Sequence, residues 1–204
     1  MPHRFFIDEA AEDVVLEGEE FRHARDVLRV GEGTEIVLLD NSGYEYRGIV
    51  TKADKKQMSV HVLGREPGTR EPKTQVFLLF GFLKSADKNE YIVQKAVELG
   101  VTRIGVFASA YSSAYLNENK LARLNKISKE AAKQCLRSIA PAVVSYPDLE
   151  SALDAATEEN KLFACEFCGG SEVDLAALRG SCAIVVGSEG GFSEDEFELA
   201  RAKG

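Results

Sequence analysis

The sequence predicts a mixed α/β protein in two parts, a small and mostly β domain over residues 1–72 and a parallel-sheet α/β domain over 73–204. Three observations predict it. The first 63 residues are short runs rich in β-branched and aromatic side chains. Residues 64–72, Gly-Arg-Glu-Pro-Gly-Thr-Arg-Glu-Pro, are polar and carry two prolines and two glycines, which reads as an inter-domain linker. Beyond them, continuous apolar runs alternate with helical patterns, the rhythm of a parallel sheet covered on both faces.

In the first part, strands are expected over 4–8, 34–40, 44–52 and 57–63, with the turn Asp40-Asn41-Ser42-Gly43 joining the second and third as a hairpin. Residues 19–29 place Phe21, Ala24, Val27 and Leu28 at helical spacing, so this part reads as a small β-barrel with one helix. In the second part, strands are expected over 76–80, 104–108, 142–145, 162–165 and 183–186. Helices are expected over 87–99, 117–138, 149–157 and 194–203. In the first of these helices Asp87 stands as the N-cap, Gly100 supplies a left-handed C′ position, and Ile92, Ala96 and Leu99 make the core stripe.

Composition narrows the function classes. No apolar run approaches the roughly 18 residues of a membrane span, and Met-Pro-His-Arg-Phe-Phe is followed by acidic residues instead of a secretory h-region. Four cysteines in 204 residues are not a disulfide framework, so a cytoplasmic protein with no membrane partner is expected. The net charge of −8 argues against a chain that coats nucleic acid. Its distribution is uneven, with a balance of −5 over 1–72, +5 over 73–148 and −8 over 149–204. A basic middle between acidic flanks suits a local RNA-binding face, and equally a set of solvated helix faces.

The strongest local feature is the run from Ala183 to Glu196. A buried strand enters the loop Gly187-Ser188-Glu189-Gly190-Gly191, and Ser193 with Glu196 forms a capping box that starts a helix. Ligands of open α/β sheets bind at the C-terminal ends of strands, where glycine lets the backbone come close. The loop is neither a P-loop nor G-x-G-x-x-G. Glu189 would repel phosphate and tolerate a cation, so a sulfonium such as that of S-adenosylmethionine fits; a plain tight connection is the competing reading. Lys84 and Lys88 stand at another strand end, where a substrate would lie.

On the long helix, Lys126, Lys129, Lys133 and Arg137 follow at intervals of three and four as a basic stripe, either an RNA-phosphate rail or a solubilising face. Beside it Glu130, Gln134 and Arg137 are spaced i, i+4, i+7. Cys165-Glu166-Phe167-Cys168 opens no helix and has no second ligand pair, so neither redox nor metal chemistry is expected. The histidines His3, His23 and His61 make no motif.

Together these segments resemble the RsmE family of 16S rRNA N3-uridine methyltransferases, in the SPOUT superfamily. The resemblance is carried by His3-Arg4-Phe5-Phe6, Phe21-Arg22-His23 and Val27-Leu28-Arg29-Val30 in the first part. It continues through Lys84, Lys88, Glu90 and the segment from Gln94 to Val101. Arg123 with Ile127, Glu130-Ala131-Ala132 with Gln134 and Arg137, Pro141 and the glycine loop complete it. It implies a PUA-like barrel that binds RNA, then a knotted SPOUT methyltransferase domain, homodimeric, acting on the small ribosomal subunit with S-adenosylmethionine and without metal. Cys165, Glu166, Gly187, Ser188, Glu189, Gly190 and Gly191 would then surround the cofactor. Glu130, Gln134 and Arg137 would be catalytic, with Lys84, Lys88, Lys126, Lys129 and Lys133 on the RNA and Arg22, His23 and Arg29 steering it from the barrel.

Three departures stand out. Ser188 occupies a family proline position, Tyr111-Ser112 an Arg-Ser pair, and the family continues past residue 204 with segments that complete the cofactor pocket and knot. The expectation is therefore a C-terminally shortened chain, inactive as it stands. Two rivals are a non-catalytic RNA-binding relative and a nucleotide-dependent flavodoxin-like enzyme, the latter disfavoured by Glu189 and by the missing Gly-Lys-Ser/Thr.

Overall fold

Alternation decides the N-terminal strands. In the computed structural model, which describes residues 2–112, 114–165 and 173–203, β1 is His3–Phe6, β2 Asp13–Leu16, β3 Glu35–Leu39, β4 Tyr44–Ala53 and β5 Met58–Pro67. They form one sheet in the order β1-β3-β4-β5-β2, parallel between β1 and β3 and antiparallel elsewhere. Phe5, Leu16, Ile36, Leu38, Val50, Met58 and Val60 bury one core, onto which Phe21 and Ala24 pack. The chain divides into two compact units, and this sheet belongs to the first, made of Met1–Glu71 and Ala132–Ala140.

Several expectations change here. β2 has no counterpart in the reading of the sequence: only four residues long, it alternates Val14 and Leu16 inward and pairs antiparallel with β5. The helix of 19–29 is shorter and changes pitch. α1 is Gly18–Arg22, continued by a π-helical turn at His23–Val27, and it closes with Val30 N–H donating to the Ala24 carbonyl at 2.9 Å. That closure puts Arg29 in the left-handed region at φ 55°. The first residues of the expected linker continue β5, where Tyr44 faces Pro67 across the ladder, with a register shift at Arg47/Gly48.

The first unit is also discontinuous. Glu71 receives the backbone N–H groups of Ser138 and Ile139 at 2.8 and 3.0 Å, and its other oxygen takes the Arg137 guanidinium at 3.0 Å. The first unit thus includes Ala132–Ala140 together with Met1–Glu71.

The second unit, Pro72–Ala131 with Pro141–Gly204, holds β6 Val76–Gly81, β7 Arg103–Phe107, β8 Val143–Tyr146, β9 Asn160–Ala164 and β10 Cys182–Val186. All pair in parallel, in the order β8-β7-β6-β10-β9. The chain builds outward from β6 to β8, crosses to β9, and returns with β10 beside β6. The order thus reverses between β6 and β10, and such a switch point is where open parallel sheets hold ligands. Phe77, Leu79, Phe107, Leu149, Leu153, Val185 and Phe192 form the core on one face.

The helices are α2 Ala86–Glu98, α3 Glu118–Gln134, α4 Leu149–Asp154 and α5 Glu194–Lys203. None of the described helices is long and apolar enough to cross a membrane. In α2 the cap is Ser85, whose hydroxyl accepts from Lys88 N–H, in place of Asp87. The buried stripe is Asn89, Val93, Ala96 and Val97, while Leu99 is 85% exposed. Two stripes of helical spacing coexist in this segment, and polar Asn89 at the head of the true one disguises it. Gly100 takes the left-handed position as expected, at φ 92°. α3 stops four residues before the expected 138, since Leu136 turns left-handed at φ 63° and Arg137 N–H donates to the Ala132 carbonyl.

Candidate active site

β10 delivers a loop that folds tightly on itself. Ser188 and Gly191 pair as an isolated bridge, Gly191 N–H donating to the Ser188 carbonyl at 3.0 Å. A Cβ on Gly187 would lie 2.9 Å from the Gly191 backbone, one on Gly81 at the end of β6 would lie 2.6 Å from the Ser188 nitrogen, and one on Gly190 would lie 2.7 Å from the Tyr111 Cβ. No real Cβ tolerates such distances. These glycines are required by the approach of chain to chain, whereas the sequence suggested the approach of a ligand.

Hydrogen bonds join the three loops that leave β6, β7 and β10. Lys84 N–H donates to Glu189 Oε1 at 3.1 Å, tying the first to the third. The buried hydroxyls of Ser109 and Ser188 lie 3.3 Å apart and tie the second to the third. The expected capping box forms, with Ser193 N–H to Glu196 Oε2 at 2.9 Å and Glu196 N–H to Ser193 Oγ at 3.2 Å. The same carboxylate accepts Ala110 N–H through Oε1 at 2.9 Å, so it also anchors the loop after β7. Ser112 Oγ accepts from Ser109 N–H and donates to the Phe82 carbonyl. Asn89, 1% exposed, holds the first loop by accepting from Leu83 N–H and donating to the Leu83 and Ser85 carbonyls. Below the glycine loop Phe192 stacks on Phe163 at 4.1 Å, a contact worth about 0.5–1.5 kcal/mol beyond burial.

Acidic side chains gather around this loop. Glu189 lies in the loop, and Glu194, Asp195 and Glu196 open the helix after it. Carboxylates there oppose the helix dipole's attraction for phosphate and are compatible with the sulfonium and ammonium of S-adenosylmethionine. The residues at the switch point fit that ligand.

Other predicted residues fall in several places. Cys165, at the end of β9, packs partly buried against the cluster that holds Phe192, and Glu166 lies outside the described residues, as does Cys168. Lys84 and Lys88 are exposed beside the first loop. Lys120, which sequence reasoning passed over, sets its ammonium 5.3 Å from the Phe82 ring centre and donates to the Tyr115 carbonyl. Asn89, Ser109 and the second role of Glu196 were also missed. Their partners lie in loops from different strands, and only the Tyr111-Ser112 departure signalled that the second loop was unusual.

Along α3, Glu130 and Gln134 are exposed, with Glu130 in the second unit and Gln134 in the first. Arg137 does not share their face. It is 3% exposed and paired with Glu71, because the helix has ended and the i+7 spacing no longer applies. Lys133 is also withdrawn from the expected rail, bonding to both Glu20 carboxylate oxygens at 3.0 and 3.1 Å, while Lys126 and Lys129 are on the exposed side. Arg123 grips Glu90 of α2 with two bonds of 3.0 and 2.8 Å, which holds the Glu90 carboxyl below its ordinary range. In the barrel unit, Arg22, His23 and Arg29 are exposed, His23 edge-on to Phe5 and Arg22 donating to the Gly18 carbonyl. Among the described residues no three His, Cys, Asp or Glu side chains gather as they would around a metal ion.

Known proteins resemble this chain in sequence and fold. The family described as RNA methyltransferase domain matches residues 69–204, and that described as RNA methyltransferase PUA domain matches residues 16–63. Ribosomal RNA small subunit methyltransferase E of Bacillus subtilis is 29% identical over 214 residues, covering 96% of this chain and 83% of the relative. The protein of that name from Mycobacterium bovis is 30% identical over 195 residues, covering 90% of this chain and 73% of the relative. A solved ribosomal RNA small subunit methyltransferase E from Neisseria gonorrhoeae, bound to S-adenosyl methionine, superposes with a TM-score of 0.86 at 26% identity, covering 100% of this chain and 86% of that one.

Proposed function

This chain belongs to the ribosomal RNA small subunit methyltransferase E family, and from that premise we propose that it transfers the methyl group of S-adenosylmethionine to N3 of a uridine in 16S rRNA. The observation that carries the proposal is the switch point between β6 and β10, where loops from three strands are locked together beneath an acidic helix start. Bound there, S-adenosylmethionine would supply a methyl group already activated on a positive sulfur, so the chemistry needs no metal.

The chain's own residues divide the remaining work. The loop of 187–191, with Cys165 at the neighbouring strand end, holds the cofactor, and Glu189 keeps Lys84 and its loop in place. Lys84, Lys88, Lys126 and Lys129 meet RNA phosphates, and Arg22, His23 and Arg29 guide the RNA on the barrel unit. N3 of uracil must lose its proton as the new N–C bond forms. Glu130 and Gln134 are assigned to the uridine, the carboxylate to take that proton and the amide N–H to donate to a carbonyl oxygen; a positioned base contributes ~10²–10⁴-fold. Arg137 is assigned a structural role, holding Ala132–Ala140 to Glu71. The protein acts in the cytoplasm, as a homodimer.

The test is a methyl-transfer assay on small ribosomal subunits that lack the modification. Label recovered as 3-methyluridine from 16S rRNA is the expected result. Absence of label there, or label on a ribose or another base, would overturn the proposal.

A further inference from the structure

At the end of β7 the chain turns through residues 108–112 and leaves one aromatic side chain in the open. Tyr111 is 55% exposed, although its Cβ and Cγ press so closely on Gly190 that no Cβ fits there. A solvated tyrosine on a loose loop would impose nothing on its neighbours. Here the loop is held by Ala110 N–H on Glu196, by Ser109 against Ser188, and by Ser112 on Phe82. One edge of the ring is fixed against the glycine loop and the remainder faces outward.

We propose that Tyr111 is a specificity-determining residue, the platform on which the target base of the RNA stacks, an inference that rests on the function proposed above. Unstacked RNA bases are recognised on aromatic faces, and a tyrosine with its position already fixed loses little freedom on receiving one. The charges around it suit a base that carries phosphates on either side. Lys84 and Lys88 belong to the loop and helix leaving β6, and Lys120 lies beside Phe82 at the same strand end. Glu189 and Glu196 belong to the same loop cluster, and each already accepts a backbone N–H, from Lys84 and Ala110 respectively. Tyr111 is uncharged where the family resemblance led to the expectation of an arginine, so recognition shifts from a cation at the base's rim to a flat surface against its face.

The experiment compares the native protein with its Tyr111→Phe, Tyr111→Leu and Tyr111→Ala variants. It measures kcat, KM for an RNA fragment, calorimetric affinity for S-adenosylmethionine, and crosslinking to RNA carrying 5-iodouridine at the target position. Tyr111→Phe should stay within about twofold of the native protein. Leucine still fills the space against Gly190 but offers no ring, so Leu and Ala should both raise KM for RNA by about tenfold, within the range for one stacked base. Cofactor affinity should be unchanged, and the native crosslink should map to residue 111. An unchanged KM in Tyr111→Ala, a Leu variant as good as Phe, or a matching loss of cofactor affinity would overturn the proposal; the last outcome would give the ring to the cofactor's adenine. If the native protein transferred no methyl at all, the function proposed above would fall, while crosslinking and direct RNA affinity would still decide Tyr111.

Discussion

Adding a single methyl group at Gly190 measures how tightly the two loops are fitted. The Cβ of Gly190→Ala would sit 2.7 Å from the Tyr111 Cβ and 3.2 Å from its Cγ. Carbon atoms at rest stay about 3.5–4.0 Å apart, so roughly 0.8 Å must be found by moving one loop. The backbone of Gly190 is not left-handed, so alanine meets only this steric obstacle. Overpacking of this kind costs about 1–3 kcal/mol, offset by about 0.4–1 kcal/mol from the smaller freedom of the unfolded chain. With Tyr111→Gly as background the nearest atoms disappear, and the same substitution should be neutral or slightly stabilising. The coupling between the positions is therefore expected at about 1–3 kcal/mol, read from urea midpoints at constant slope in a double-mutant cycle. An equal cost in both backgrounds would show that Tyr111 is not what forbids a side chain at Gly190, and the loop-to-loop account of these glycines would fail.

Three further outcomes follow from the same contacts. Glu196→Ala removes the acceptor of Ala110 N–H and Ser193 N–H, which water can then reach, so it should cost about 0.5–1.5 kcal/mol and weaken cofactor binding, with Glu196→Gln recovering part of both; a melting curve and a calorimetric titration check it, and an unmoved cofactor affinity would count against the clamp. Replacing Lys126 and Lys129 with Gln should flatten the salt dependence of RNA binding by up to ~0.7–0.9 in log–log slope for each, whereas Lys133→Gln should leave the slope and lower the urea midpoint, since Lys133 is bound to Glu20; a salt series that responds to Lys133 alone would reverse the assignment. For Glu90, the Arg123 bond lowers the folded-state pKa against opposing desolvation, so its stabilisation is complete above the unfolded carboxyl value of about 4.3 and disappears as pH falls through the folded value. Glu90→Gln should accordingly destabilise at pH 7 and converge with the native protein as pH falls through the lowered folded-state value, and a gap that does not narrow in acid would contradict the ion pair.

The sequence was most legible where one signal had no rival. The apolar runs of the parallel strands, the capping box at Ser193 and Glu196, and left-handed Gly100 each depend on local chemistry, and each formed. Where two local readings compete, tertiary packing decides between them. Residues 86–99 carry one stripe through Asn89, Val93 and Ala96 and another through Ile92, Ala96 and Leu99, and the hydrogen bonds that bury Asn89 make the polar residue the correct one. Arg137 looked like the third member of a helical face because nothing in its spacing announces the left-handed turn at Leu136. The site was half legible: the glycine loop and its place after a buried strand could be read, whereas the bond from Lys84 N–H to Glu189 could not. The ties between loops, such as Ala110 to Glu196 and Ser109 to Ser188, link positions far apart in sequence and leave no periodic trace.

The central position of β6 has a consequence for how the protein is made. Val76–Gly81 is apolar almost throughout and lies between β7 and β10, its register with β10 running from Val76 opposite Cys182 to Phe80 opposite Val186. A nascent chain leaving the ribosome therefore carries β6 with one edge open while everything from α2 to β9 is being translated. Parallel strands left unpaired in this way invite association with other chains, and closing them over such a span of sequence is slow. The strand that finally seals the gap is also the one that carries the glycine loop. Burial of the vulnerable edge and readiness to receive a ligand thus arrive in the same folding step, and conditions that slow translation or withhold chaperones should deplete soluble protein without accumulating a folded form that lacks its site.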